Sequence, residues 1–181
     1  MIKKHSAALA AILSISSIVS VNAYAADNLP ALSHSSGYYD NSQYVTVVNY
    51  DDDTDIYFTT DGTKPGTDST VYDGTPITIS ENSVVRIAAY SGEELVNTGK
   101  ASIKIRTSTP SASVDGGEYS DSFKVRLTCS DPDAVIYYTT DGTTPTKDSA
   151  KYKKAITISE TTTLRFAAIA PDKSRSKVVT E

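Results

Sequence analysis

A ten-residue segment of this chain returns 80 residues later, and that duplication limits the fold more than any other feature of the sequence. Ile56-Tyr57-Phe58-Thr59-Thr60-Asp61-Gly62-Thr63-Lys64-Pro65 comes back as Ile136-Tyr137-Tyr138-Thr139-Thr140-Asp141-Gly142-Thr143-Thr144-Pro145. Upstream, Gly37, Tyr39, Val45 and Val47 meet Gly117, Tyr119, Val125 and Leu127 at the same spacing. Downstream, Asp68-Ser69 and Tyr72 meet Asp148-Ser149 and Tyr152. One deletion then lowers the offset to 79, which aligns Ile77-Thr78-Ile79-Ser80-Glu81 with Ile156-Thr157-Ile158-Ser159-Glu160, and Arg86 and Ala88-Ala89 with Arg165 and Ala167-Ala168. More than ten identities in one order with a single gap mean that one supersecondary unit is used twice.

The unit reads as short strands separated by turns. Tyr44 to Val48 and Phe123 to Cys129 alternate apolar and polar residues, the period of a half-buried strand. Ile56 with Phe58, and Ile136 with Tyr138, point to one face, and Tyr57 and Tyr137 to the other. Asp61-Gly62 and Asp141-Gly142 follow at once, a pair that tolerates the positive φ of a tight turn, and the Pro three residues on stops the strand. Ile77-Thr-Ile, Ile156-Thr-Ile, Val85 to Ala89 and Leu164 to Ala168 alternate again, with last strands expected at Ala101 to Ile105 and Lys177 to Thr180. No stretch after the leader has a convincing helical period. Turn signals at regular spacing and copies this small point to an all-β chain of two tandem immunoglobulin- or fibronectin-like β-sandwiches.

The first 25 residues read as a leader rather than as part of that fold. Lys3 and Lys4 precede an apolar stretch from Ala7 to Val21, and Ala23-Tyr24-Ala25 fits the small-x-small pattern of signal-peptidase cleavage. The stretch is too short and too rich in serine for a span, which needs roughly 20 mostly apolar residues. The expected organisation is a signal peptide over 1–25, one sandwich over 26–106 and a second over 107–181, joined at Thr107-Ser108-Thr109-Pro110. The exported chain would be periplasmic or secreted, with no membrane span. Removing Lys3 and Lys4 lowers the 17 basic residues to 15 against 22 acids, a net charge of −7. Such a chain is a poor partner for nucleic acid, whose phosphates must be neutralised, and is repelled by an anionic membrane. Cys129 is the single cysteine, so no intramolecular disulfide forms, and its alternation with Val125 and Leu127 places it on a packed strand face.

Once the duplicated segments are laid out, each copy resembles the chitobiase/β-hexosaminidase C-terminal repeat, a fibronectin-like module attached to many secreted bacterial carbohydrate-active enzymes and surface proteins. The resemblance runs from Gly37 with Tyr39, or Gly117 with Tyr119, through Ile-x-aromatic-Thr-Thr-Asp-Gly and Ser69 to Tyr72, or Ser149 to Tyr152. It closes on the Ile-Thr-Ile-Ser and Arg-x-Ala-Ala segments. It departs at Phe58, where a Tyr is expected, and at Ser91 to Gly99, read as an extra loop with Glu93 and Glu94. In that family catalysis belongs to a separate barrel domain, so the resemblance implies a fold and a carbohydrate context but no reaction.

The residues themselves agree that the chain is not an enzyme. His34 is the only histidine beyond the leader and has no counterpart in the second copy, so a Ser-His-Asp arrangement could be drawn only once, without a nucleophile elbow. Asp61 and Asp141 are explained by their turns. Asp51-Asp52-Asp53-Thr54-Asp55 is the best oxygen-ligand set for Ca²⁺, yet it lacks EF-hand spacing and reads first as a solvated turn. No catalytic, cofactor or metal residue is assigned. The ligand-binding candidates are Tyr57 and Tyr137, whose rings would stack on sugar faces, and Arg86 and Arg165, charged and recurring in mid-strand, for which pairing with a carboxylate is the leading expectation. Two functions follow. One is an exported accessory module that contacts a polysaccharide such as chitin or assists a carbohydrate-active partner. The other is a structural or adhesive module of the envelope or exterior that binds protein.

Overall fold

The computed structural model describes residues 29–181, and the expected leader over 1–25 lies outside them. In the first copy the strands are β1 (Ala31–Leu32), β2 (Gly37–Tyr39), β3 (Gln43–Val45), β4 (Val47–Val48), β5 (Thr54–Thr59), β6 (Thr70–Val71), β7 (Ile77–Ile79), β8 (Ser83–Ser91) and β9 (Glu94–Ile105). In the second they are β10 (Ser111–Ala112), β11 (Phe123–Val125), β12 (Leu127–Thr128), β13 (Val135–Thr139), β14 (Ala150–Lys151), β15 (Ile156–Ile158), β16 (Arg165–Ile169) and β17 (Val179–Thr180). The described residues are all-β, as the alternation predicts.

Each copy carries one large sheet and two strand pairs. The first has a five-stranded sheet in the order β2-β9-β8-β5-β6 with the pairs β1-β4 and β3-β7. The second has β14-β13-β16-β17 with β10-β12 and β11-β15. Two compact units result: among the described residues one holds 29–37 with Gln43–Ile79 and Ser83–Ile103, the other Lys104–Glu181 with Tyr38–Ser42 and Ser80–Asn82.

The strand expected from Tyr44 to Val48 is broken at Thr46. Its first half pairs with β7 and its second with β1, and Phe123 to Thr128 divides in the same way between β15 and β10. A side chain holds each break open: Thr46 N–H donates to Ser33 Oγ at 2.9 Å, and Arg126 N–H donates to Ser113 Oγ at 2.9 Å. The strand therefore changes partners without losing its inward residues, and Val45, Val47, Val125 and Leu127 are all buried.

Between the layers of the second copy, Val125, Leu127, Ile136, Leu164, Phe166 and Ala168 form one cluster, with Phe123, Cys129, Tyr138 and Tyr152 packed against it. The first copy buries Ile56, Val85, Ile87, Ile103 and Ile105 to 2% exposure or less. Each such aliphatic side chain contributes roughly 1.5–3 kcal/mol of burial free energy. Cys129 is half-buried, with Sγ 3.3 Å from Ser108 O, a packed side chain as its alternation implies.

Two stretches differ from the sequence reading. Ser91 to Gly99 is not a loop, because β8 and β9 continue as a hairpin to Ser91↔Glu94. Gly92 at φ 62° turns the chain there, and a register shift at Ala89/Tyr90 absorbs the odd residue. At the other end, β17 covers only Val179–Thr180 of the expected Lys177 to Thr180, because Ser176 bonds back to Ala168 and leads the chain into the sheet late.

The second copy also holds one well-supported ion pair. Lys173 Nζ lies 2.8 Å from Asp131 Oδ1, and Ser108 N–H donates to the other carboxylate oxygen at 2.7 Å. Burial works against the charge on Asp131, but these donors outweigh it and hold the carboxyl below its usual value. A carboxyl lowered on folding stabilises above its unfolded pKa of about 3.9, and that contribution disappears as pH falls through the folded value. Asp131→Asn should therefore lower stability by about 1–2 kcal/mol near neutral pH, and thermal melts should show the gap to the parent closing below about pH 4. Gly142 sits at φ 78°, and an added Cβ would meet Thr163 Cγ2 at an ordinary 3.4 Å. Gly142→Ala should then cost about 1–2 kcal/mol from the backbone alone, read as a lower denaturant midpoint with an unchanged slope.

Candidate functional site

The recurring Asp-Gly segment is built the same way in both copies. Asp61 Oδ1 accepts from Thr63 N–H at 2.9 Å and Thr63 Oγ1 at 2.6 Å, and Asp141 Oδ1 accepts from Thr143 N–H at 3.0 Å and Oγ1 at 2.6 Å. The threonine hydroxyl, and after it the threonine N–H, hold each aspartate below the ordinary carboxylate range. Thr59 and Thr139 close the loop by donating to Thr63 O and Thr143 O at 2.7 and 2.6 Å. These carboxylates are turn formers with their acceptor atoms in use.

The recurring arginine serves that turn in the second copy. Arg165 Nη1 donates to Gly142 O at 3.2 Å and to Thr144 Oγ1 at 3.0 Å. The expected carboxylate partner is replaced by a carbonyl and a hydroxyl, because β16 runs directly beside the turn, where Gly142 N–H donates to Thr163 O at 3.1 Å. Arg86 occupies the same register position against Thr59 as Arg165 does against Thr139, and the Nε of both is buried without a partner. Both side chains lie along the sheet, half-buried.

Of the two tyrosines expected to form an exposed platform, Tyr137 is only 8% exposed. Tyr57 is half-buried and meets Tyr90 edge to face at 5.8 Å. The reason lies across the strand. Tyr57 stands opposite Ala88 and Tyr137 opposite Ala167, and both alanines are buried to 2% or less. A large ring beside a small residue covers it, so the outer face of each central ladder is closed by its own tyrosine. Lys151 Nζ lies 6.0 Å over the Tyr137 ring. The exposed tyrosines are instead Tyr44 at 64%, Tyr38 at 63% and Tyr119 at 51%. Tyr44 was legible as outward from its alternation with Val45. Tyr38 carries the Arg106 guanidinium 4.5 Å over its ring.

His34 Nδ1 lies 2.9 Å from Ser33 Oγ and Nε2 3.1 Å from Gln43 Oε1. Ser33 has a structural duty, since Ser113 makes the same backbone bonds in the second copy, where Val114 follows it. Of the acidic run, Asp51 to Asp53 lie in the turn before β5 and Thr54 and Asp55 begin that strand, with Thr54 donating to Asp51 Oδ1 at 2.8 Å. Among the described residues, no three His, Cys, Asp or Glu side chains are grouped to hold a metal ion.

One concave surface stands out in the second copy. A groove of about 630 Å³ lies between residues 114–123 and 158–164, and Glu181 closes one end. Val125, Ile158 and Leu164 contribute apolar floor, while Asp115, Glu118, Asp121 and Glu160 stand on its exposed rim. Tyr119 folds over it, with its hydroxyl donating to Asp115 O at 2.8 Å and its ring 4.5 Å from that of Phe123. Sequence reasoning missed this groove, because its residues are scattered along the copy and come together only through the pairing of β11 with β15 and of Glu181 with Leu164.

Comparison with known proteins bears on both copies. The Chitobiase/beta-hexosaminidase C-terminal domain family matches the chain over residues 34–102 and again over 114–180. Over 51 residues the chain is 49% identical to a protein described as Endoglucanase from Clostridium saccharobutylicum. That likeness covers 28% of this chain and 11% of the relative, so it reaches only a small part of that protein. The context is carbohydrate-associated. With both copies matched over most of their length, the chain belongs to the chitobiase/beta-hexosaminidase C-terminal domain family and carries the module twice in tandem.

Proposed function

We propose that the protein is an exported, non-catalytic accessory module that contacts a polysaccharide such as chitin or assists a carbohydrate-active partner. The observation that carries this reading is the tandem module itself: the two matched segments take up most of the chain, and the groups that recur in both are engaged in turns and ladders rather than free for chemistry. The leader over 1–25, with its Ala23-Tyr24-Ala25 site, supplies the export.

Contact with a glycan falls to exposed rings. Tyr44 on β3 presents 64% of its surface to solvent, and its counterpart in the second copy is Lys124, so the two copies contribute unequally. Tyr57 adds a half-buried ring on another strand. Exposed aromatic rings stack on the apolar faces of pyranoses while the phenol stays hydrated.

The purified protein should sediment with insoluble chitin and less with cellulose or peptidoglycan, in competition with soluble oligosaccharide. Tyr44→Ala should weaken retention about tenfold with an unchanged melting temperature, and Tyr57→Ala should weaken it less. No retention on any of the three polymers removes the glycan reading. Intact mass of the exported protein should give a chain beginning at Ala26.

A further inference from the structure

Arg86 and Arg165 hold one position in the two copies and differ in what their guanidinium groups meet. In the second copy Arg165 Nη1 donates to Gly142 O and Thr144 Oγ1. The first copy builds the same turn, with Gly62 at φ 86° where Gly142 is at φ 78°, but Lys64 stands in place of Thr144. A hydroxyl that could accept is thus exchanged for a second cation. Across the ladder Arg86 opposes Lys100, where Arg165 opposes Thr180. Directly opposed side chains have Cβ atoms about 5 Å apart, and like charges in that relation are destabilising. Among the described residues no side-chain hydrogen bond or ion pair holds Arg86, Lys64 or Lys100. The carboxylate of the turn, Asp61, already accepts from Thr63.

The same outer face carries rings. Thr59 opposes Arg86 and Tyr57 opposes Ala88, so Tyr57 stands two residues, about 7 Å, along the ladder from the arginine. Tyr90 meets the Tyr57 ring edge to face. In the second copy the tyrosine is buried and Ile169 stands where Tyr90 does. The second copy's lysine on this face, Lys151, opposes Tyr137 and lies over its ring, not beside Arg165. At Lys64, Lys100 and Tyr90 the first copy therefore has a cation or a ring where the second has Thr144, Thr180 and Ile169.

These groups suit one kind of ligand. A guanidinium takes a carboxylate through two parallel N–H···O bonds, and neighbouring ammonium groups add point charges that relieve their own repulsion once the anion is bound. A tyrosine ring packs on the apolar face of a pyranose with its hydroxyl still hydrated. The spacing lets a sugar rest on Tyr57 while its own carboxylate, or that of the next sugar, reaches Arg86.

We propose that the outer face of the large sheet in the first copy binds an acidic polysaccharide, a chain of uronic acids, with its carboxylates on Arg86, Lys64 and Lys100 and a sugar ring against Tyr57. Asp55 opposes Tyr90 at the other end of the ladder, so the carboxylates are directed to the arginine end. Tyr44 belongs to the separate pair β3-β7, so this site goes beyond the contact ascribed to Tyr44 and stands or falls apart from it.

The test titrates the purified protein, labelled for amide NMR, with a trimer of galacturonic acid. Expected is saturable one-to-one binding, with shift changes centred on residues 57–59, 86–88 and 98–100. The methyl ester of the trimer, which keeps the rings and removes the charges, should bind at least about tenfold more weakly. The acid should lose as much on Lys64→Thr/Lys100→Thr protein, which gives the first copy the residues of the second at both places. Both positions are exposed, so the fold should persist, and an unchanged melting temperature checks this. Tyr44→Ala should leave the affinity for the trimer unchanged, which separates this result from retention on chitin. No shift changes on this face at about 1 mM trimer, equal binding of acid and ester, or loss of binding in Tyr44→Ala overturns the proposal. Pentaglutamate that binds this face as tightly as the trimer overturns it as well, because charge alone would then account for the binding.

Discussion

Each copy depends on one antiparallel ladder that is closed on both faces. In the first, β5 and β8 pair from Thr54↔Ser91 to Thr59↔Arg86, and in the second β13 and β16 pair from Val135↔Ile169 to Thr139↔Arg165. Inward, Ile56 with Ile87, and Ile136 with Phe166, carry the core. Outward, a tyrosine covers the alanine across from it. A central ladder buried on both sides must satisfy its backbone internally and cannot lose a strand without exposing two faces. The Ile-Tyr-aromatic and Arg-x-Ala-Ala segments recur together because they are the two halves of this one arrangement. The Asp-Gly turn follows because the inner strand has to leave the ladder where Arg165 begins it, and that arginine ties the turn down.

How much of this was legible follows from the range of each interaction. Turns and strand periods are local, so Asp61, Gly62, Asp141 and Gly142 and the inward aliphatics could be placed from the sequence, and the repeat made each placement twice. Tyr137 could not. Alternation says that its ring points away from Ile136, but whether that face is wet depends on Ala167 and Lys151 in neighbouring strands. The same limit hid the acceptors of Arg165, which come from a turn 21 and 23 residues upstream, and the hairpin at Ser91 to Glu94, where a loop-like composition is overruled by β8 pairing onward. Strand partners, not strand residues, were the part out of reach.

The two copies share a plan and differ where it ends. Gly99 illustrates how finely the first copy is fitted: a Cβ there would lie 2.8 Å from Ile87 Cγ1, so the residue must stay small for β9 to lie flat on β8. The second copy has Val179 at this place, opposite Phe166 rather than Ile87, so the same crossing is solved with a different pair of shapes. The layers thus tolerate exchange of side chains as long as each cross-strand pair still fits.

Such a division says where a ligand must be sought. If both copies bound the same ligand for avidity, exposed residues would recur between them. What recurs is buried, half-buried or tied into turns: Ile56 and Ile136 in the core, Tyr57 half-buried where Tyr137 is buried, Asp61 and Asp141 in their turns. What differs is exposed: Tyr44 against Lys124, Tyr38 against Glu118, Asn41 against Asp121. Duplication preserved the frame, and after it the surfaces were free to part. The two copies therefore differ in what they expose, an aromatic ring at Tyr44 on the first where the second has Lys124, and carboxylates at Glu118 and Asp121 on the second where the first has Tyr38 and Asn41.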